Sequence, residues 1–207
     1  MTSISIIGTG NMGGAIAGVA AKGGADLQIV DRDAGKAAAL VGEVGGASAT
    51  FGDALTGDIV VLAVPYPAVQ DVVSTYRDQL AGRVVVDMTN PVDFATFDAL
   101  TVAPDSSAAA EIADAVPDAR VIKAFNTNFA ATLASGTLGG EPTTVLLAGD
   151  DDAAKAALSE VVVAGGLKTA DAGSLKRARE LEALGFLQMV LAVREQIGWT
   201  GGLALRA

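Results

Sequence analysis

Residues 4–13 read Ile-Ser-Ile-Ile-Gly-Thr-Gly-Asn-Met-Gly, an apolar strand-forming run that falls into Gly8, Gly10 and Gly13, followed by an Ala-rich helical stretch over 15–22. Strand, tight turn and helix in that order commit the start of the chain to a βαβ unit. Gly8 allows the sharp exit from the strand, Gly10 lets backbone approach a ligand without a Cβ in the way, and Gly13 lets the helix pack closely on the sheet. The unpaired N–H groups and positive dipole end of that helix suit an anion, so the turn can hold a pyrophosphate without a basic side chain. A second apolar run, 27–30, ends in Asp31, 18 residues beyond Gly13, close to the spacing at which an acidic residue meets an adenosine ribose.

The residue inventory removes whole classes of chemistry. The 207 residues contain neither histidine nor cysteine. Imidazole bases, thiolate nucleophiles, disulfides and most zinc sites are therefore excluded, and no metal site is expected. A net charge of −10 without a basic cluster argues against nucleic acid and anionic membranes as partners. The chain starts directly in a strand, so no secretory signal is expected, and its apolar runs are shorter than a membrane span. With 51% hydrophobic residues it can bury a full core. These features fit a soluble cytoplasmic protein.

Along the chain, short β-rich runs alternate with Ala-rich stretches, the pattern of an α/β doubly wound parallel sheet. Strands are predicted near 3–8, 26–31, 46–50, 58–63, 83–87, 120–125, 143–148 and 167–171. Helices are predicted near 11–22, 34–43, 67–80, 106–116, 151–163 and 174–197, with 94–104 irregular. The short Gly-rich pieces at 136–140 and 165–166 read as turns. No repeat or long linker divides the chain, so residues 1–207 are read as one unit, with a dinucleotide-binding core over about 1–150 and a small C-terminal helical/β addition over about 151–207. In the last helix, Leu181, Leu184, Leu187, Val190 and Leu191 recur at helical spacing, a face able to cover the sheet or a partner subunit. Glu180 and Glu182 are two apart and do not form an acid/base pair.

Candidate ligand-binding residues gather at predicted strand ends. Asp31 can accept from a ribose 2′-hydroxyl, as in NAD(H) sites, whereas Arg32 and Lys36 can pair with a 2′-phosphate. An Asp31–Arg32 ion pair that swings aside would admit both dinucleotides. Ala63-Val64-Pro65 leaves a strand next to the first one, where open α/β sheets bind ligands. Asn90, in Met88-Thr89-Asn90-Pro91, can bond a nicotinamide ribose or carboxamide. Lys123-Ala-Phe-Asn-Thr-Asn brings Asn126, Thr127 and Asn128, neutral groups that orient a polar planar ring without taking its protons; helix capping is the alternative for Thr127 and Asn128.

With the glycine turn, the Val-Pro edge, the Lys123-Ala-Phe-Asn-Thr segment and the Asp171-Ala-Gly-Ser-Leu run together, residues 3–207 resemble the NADPH-dependent coenzyme F420 reductase family and, in the same segments, the reductase domains of STEAP metalloreductases. The resemblance implies a Rossmann-type domain, commonly a homodimer, and direct hydride transfer between NADP(H) and the deazaflavin ring of F420, which needs no protein acid or base. It places Thr9, Asn11 and Met12 in the phosphate turn, Arg32 and Lys36 at the 2′-phosphate, and Trp199 in the acceptor pocket. Asp31 stands where NADP-specific members carry a small neutral residue, which keeps NAD(H) open. Asn126 stands where F420-reducing members can carry histidine, whereas STEAP-like sequences read Phe-Asn-Thr as here. The alternatives are another acceptor, such as free flavin or an imine, and a non-catalytic dinucleotide sensor.

Overall fold

The computed structural model describes residues 2–205. Strands β1 (Ser3–Ile7), β2 (Asp26–Asp31), β3 (Ala47–Thr50), β4 (Ile59–Leu62), β5 (Val84–Asp87) and β6 (Arg120–Ala124) occupy the apolar runs, joined by α1 (Asn11–Lys22), α2 (Ala34–Val44), α3 (Tyr66–Leu80) and α4 (Ala108–Ala115). After β6 come α5 (Ala130–Ser135), a short hairpin of β7 (Thr137–Leu138) and β8 (Glu141–Pro142), then β9 (Thr144–Gly149), α6 (Asp152–Ala164), β10 (Lys168–Gly173) and α7 (Ala178–Val193). Eight strands form one sheet in the order β10-β9-β6-β5-β4-β1-β2-β3.

That order makes β1 the switch point. The chain runs outward from β1 to β2 and β3, then crosses back to β4 on the other side of β1. Helices following the two halves leave in opposite directions, and a crevice opens beyond the carboxyl ends of β1 and β4. Pairing is parallel throughout except between β6 and β9, which run antiparallel. Of the residues predicted as the C-terminal addition, β10 continues the sheet beyond β9, which belongs to the predicted core.

Side chains alternate across each strand, and both faces are covered. Ile4 and Ile6 of β1 and Ile59 and Val61 of β4 join α1 and α6 in one core; Ile7, Val60 and Leu62 join α3 and α4 in the other. Burial on both faces explains why β4 and β5 read as unbroken apolar runs, since neither face can be polar. Asp33, Ser107 and Asp151 cap α2, α4 and α6 by accepting from backbone N–H groups of the first turn, whereas α1 has no side-chain cap at Gly10.

The end of the chain corrects two expectations. The single helix predicted over 174–197 is a 3-10 turn, Leu175–Arg177, followed by α7. α7 stops at Val193 because Glu195 turns left-handed (φ 57) and Gln196 N bonds back to Leu191 O. The buried side of α7 is also not the apolar one: Leu181, Glu182, Gly185, Gln188 and Ala192 face inward, while Leu187 and Val193 are about half exposed. The spacing of leucines located a helix correctly and its inner face incorrectly, because buried polar groups elsewhere draw Glu182 and Gln188 inward.

Candidate functional site

The glycine turn explains itself from its own packing. Gly8 has φ 112, and a Cβ there would lie 2.3 Å from Ala63 O. At Gly13 a Cβ would lie 2.1 Å from Gly8 O, so α1 could not sit against the turn. Gly10 differs: its φ is −66, and a Cβ would meet nothing within 4 Å. The protein's packing therefore does not demand glycine at position 10; the space a side chain would fill there is open crevice. With no side-chain cap on α1, its first N–H groups are available to an anion. The turn fits a pyrophosphate.

Asp31 is tied to this turn. Its Oδ2 accepts from Thr9 N at 3.0 Å and Thr9 Oγ1 at 2.7 Å, and its Oδ1 accepts from Asp33 N at 2.9 Å. Burial pushes the carboxyl up, but the hydrogen bonds from Asp33 and Thr9 outweigh it and hold Asp31 below the usual aspartate value. The Asp31–Arg32 pair is not formed. Arg32 instead pairs with Asp71 and lies over Phe51, 5.1 Å from the ring centroid. Local hydrogen bonds from the turn hold Asp31 in place, while the longer Arg32 side chain reaches α3. Asp31, Arg32 and Pro65 line one hollow, and Thr9, Asn11 and Lys36 line another.

Between these hollows and the carboxyl ends of β5 and β6 lies a cavity of about 570 Å³. Gly10, Asn11 and Met12 of the glycine turn form one side, Ala63, Val64 and Pro65 one wall, and Asn90, Asn126, Asn128 and Trp199 the opposite end. Tyr66, Met88, Thr89, Phe94, Phe129, Ala130, Ala131 and Met189 complete the lining, which contains no charged side chain. Of the residues expected on the acceptor side, Thr127 alone does not reach the cavity. It is buried, and its carbonyl accepts from Gln188 Nε2 at 3.2 Å, because the turn that aims Asn126 and Asn128 at the cavity points Thr127 toward α7.

Asn90 and Asn126 lock the two strand ends together. Asn90 Nδ2 donates to Asn126 O, Asn126 Nδ2 to Asn90 Oδ1, both at 2.9 Å, and Asn126 Nδ2 also to Leu181 O at 2.8 Å. The chain reaches this position through Phe125, which is buried with φ 64, a strained conformation costing about 1–3 kcal/mol and kept only where its surroundings hold it. Trp199 packs on Phe129 with ring centroids 5.0 Å apart.

Behind this end sits a buried ionic cluster that the sequence reading missed. Lys123 Nζ, on β6, donates to Asp87 Oδ2 and Glu182 Oε1 at 2.7 Å and to Thr89 O at 2.6 Å; none of the three charged side chains is exposed. Glu182 also accepts from Ala108 N at the start of α4. Burial pushes the Glu182 carboxyl above its ordinary value, and Lys123 counters only part of that. The legible signal was a charge closing each of two apolar strands, Asp87 on β5 and Lys123 on β6. The third member, on α7, has no such mark.

A doubly wound sheet with an open glycine turn at its switch point and an uncharged cavity beside it belongs to the NAD(P)-dependent oxidoreductases. Residues 3–91 match the family described as NADP oxidoreductase, coenzyme F420-dependent. The chain is similar to this family over that segment. It is 26% identical to the F420-dependent NADP reductase of Methanocaldococcus jannaschii, over 70% of this chain and 66% of that protein. It is 30% identical to metalloreductase STEAP3 of Rattus norvegicus, over 87% of this chain. The chain spans only 36% of that relative's length. A solved structure from Arthrobacter sp. FB24, titled as a candidate F420-dependent NADP reductase, superposes with a TM-score of 0.85 at 26% identity, covering 100% of both chains.

Proposed function

We propose that the chain transfers hydride between NADP(H) and coenzyme F420 or a related flavin-like acceptor, with NAD(H) also admitted. The dinucleotide supplies the hydride chemistry when bound. Gly8, Gly10, Gly13 and the first N–H groups of α1 hold its pyrophosphate, with Thr9, Asn11 and Met12 around them. Arg32 and Lys36 meet a 2′-phosphate, and Asp31 a free ribose hydroxyl. Ala63, Val64, Pro65 and Asn90 set the depth at which the reactive ring lies. Asn126, Asn128 and Trp199 orient the acceptor.

The observation that carries this reading is the uncharged cavity, continuous with Gly10 and lined by neutral polar and apolar groups; the one titratable side chain in it, Tyr66, is held protonated by burial and by its hydrogen bond to Glu111. Such a lining can stack two planar rings and exclude water while leaving protons alone. Residues 1–207 are read as one unit in which 151–207 complete the acceptor side, in a cytoplasmic homodimer. Stopped-flow absorbance tests the assignment: the deazaflavin band of F420 should bleach on mixing with NADPH, and more slowly with NADH. No bleaching, with dinucleotide binding confirmed by nicotinamide fluorescence, would reject F420. Nicotinamide oxidation by free flavin or an imine would then identify the other acceptor class.

A further inference from the structure

Three residues that line the cavity each carry a buried polar atom with no hydrogen-bonding partner among the described residues: Thr89 Oγ1, Asn126 Oδ1 and Asn128 Oδ1. Their residues are 1%, 5% and 8% exposed. Unpaired polar atoms at such depth are costly and rare. The two amides are not free to flip. Asn126 Nδ2 donates to Leu181 O and Asn128 Nδ2 to Thr144 O. A backbone carbonyl only accepts, so each nitrogen must face its carbonyl and each oxygen is left over. Thr89 is held equally firmly, its carbonyl accepting from Lys123 Nζ and its N–H donating to Asp87 Oδ1 at 2.8 Å. Only its hydroxyl is spare.

We propose that Thr89 is a ligand-recognising residue, and that its hydroxyl and the carbonyl oxygens of Asn126 and Asn128 receive the N–H groups of an uncharged planar amide or imide. A carboxylate or phosphate would find oxygens facing it and no cation in the lining. Two ligand groups carry the matching chemistry: the carboxamide of a nicotinamide ring and the N–H edge of a flavin-like acceptor. The inference rests on reading the crevice as a dinucleotide-and-acceptor site.

Trp199 is the sole tryptophan and lines the cavity, so its fluorescence reports occupancy without turnover. Wild type, Thr89→Val and Thr89→Ser are titrated with four probes: NADP+, its 3-acetylpyridine analogue, 5-deazariboflavin and N3-methyl-5-deazariboflavin. At least one N–H-bearing ligand should bind wild type roughly tenfold more tightly than its blocked analogue, the value of one well-made hydrogen bond. Thr89→Val should abolish that ratio and Thr89→Ser keep it. Because the threonine hydroxyl has no internal partner, the melting temperature of Thr89→Val should stay level or rise.

A response confined to the dinucleotide pair identifies the carboxamide; one confined to the deazaflavin pair identifies the acceptor. Equal affinities within both pairs for wild type would overturn the proposal, and that comparison needs no variant to fold. So would an unchanged ratio in Thr89→Val, or a uniform loss for blocked and unblocked ligands together with a lower melting temperature. Failure of F420 to bleach in the stopped-flow experiment leaves these affinity ratios untouched, so the two readings fail separately.

Discussion

The two ends of the crevice are built by different means. At the glycine-turn end, the polar groups come from residues 8 to 36, packed on the Ala63–Pro65 edge: a backbone turn, uncapped helix amides and a carboxylate that bonds Thr9. At the acceptor end, Asn90 reaches across 36 positions to Asn126, Asn126 across 55 to Leu181, and Gln188 across 61 to Thr127. Phosphates are common to every dinucleotide, and a short glycine-spaced segment makes their site from backbone alone. Acceptors differ, and side chains from separate strand ends can be exchanged to suit them without disturbing that turn. The charges are distributed accordingly: Arg32 is exposed at the first end, while Lys123, Asp87 and Glu182 are hidden behind the second.

The largest effect should come from the hidden charges. Lys123→Met leaves two carboxylates buried without their cation, and urea unfolding should show a loss of about 3–5 kcal/mol. An unchanged midpoint would mean that the cluster does not hold the acceptor end. Next comes a contrast within the turn. Gly13→Ala must push α1 off Gly8 O and should cost about 2–3 kcal/mol. Gly10→Ala should stay within about 0.5 kcal/mol of wild type, yet lose dinucleotide affinity by roughly tenfold or more as its methyl enters the phosphate space. Equal destabilisation by the two would erase the distinction between packing and ligand glycines.

A third test uses pH. The folded-state value of Glu182 lies above its ordinary 4.5, so the folded protein keeps a proton that the unfolded chain has already lost. Stability from this group is complete below pH 4.5 and declines as pH rises through the folded value. Glu182→Gln should therefore flatten the fall in urea midpoint above pH 4.5; parallel curves would show that Glu182 ionises as freely as an exposed carboxylate.

The smallest effects belong to the exposed end. Arg32 and Asp71 have side chains 63% and 57% exposed, so Arg32→Ala should change stability by less than about 0.5 kcal/mol while lowering NADPH affinity relative to NADH. Asp31→Ser should move that ratio the other way and weaken both dinucleotides somewhat, because the hydrogen bonds to Thr9 go with the carboxylate. Affinities measured by nicotinamide fluorescence decide it; a fixed NADPH/NADH ratio in Asp31→Ser would remove Asp31 from the ribose.

Much of the fold was legible because its signals are local. The central strands announce themselves by burial on both faces, unlike the more exposed edge strands β3 and β10, and the spacing of Gly8, Gly10 and Gly13 marks the turn although Gly8 packs on the distant Ala63. The hairpin of β7 and β8 was less so, since two-residue strands leave only Gly139 and Gly140 as a mark. The Lys123 cluster as a whole has no local mark, because its members come from β5, β6 and α7 and the two-residue spacing of Glu180 and Glu182 speaks only of their own helix.

By itself, then, the sequence determined the doubly wound sheet, the glycine-spaced turn at its switch point and the lack of histidine and cysteine, all of which follow from neighbouring residues and composition. Only the tertiary structure decided that Asp31 bonds Thr9 rather than Arg32, that α7 turns Glu182, Gly185 and Gln188 inward, and that Thr89 holds a spare hydroxyl against the cavity. Those outcomes depend on which distant partner satisfies a buried polar group. Such partners are chosen by packing across the whole molecule, where a charge left unpaired costs more than an exposed leucine.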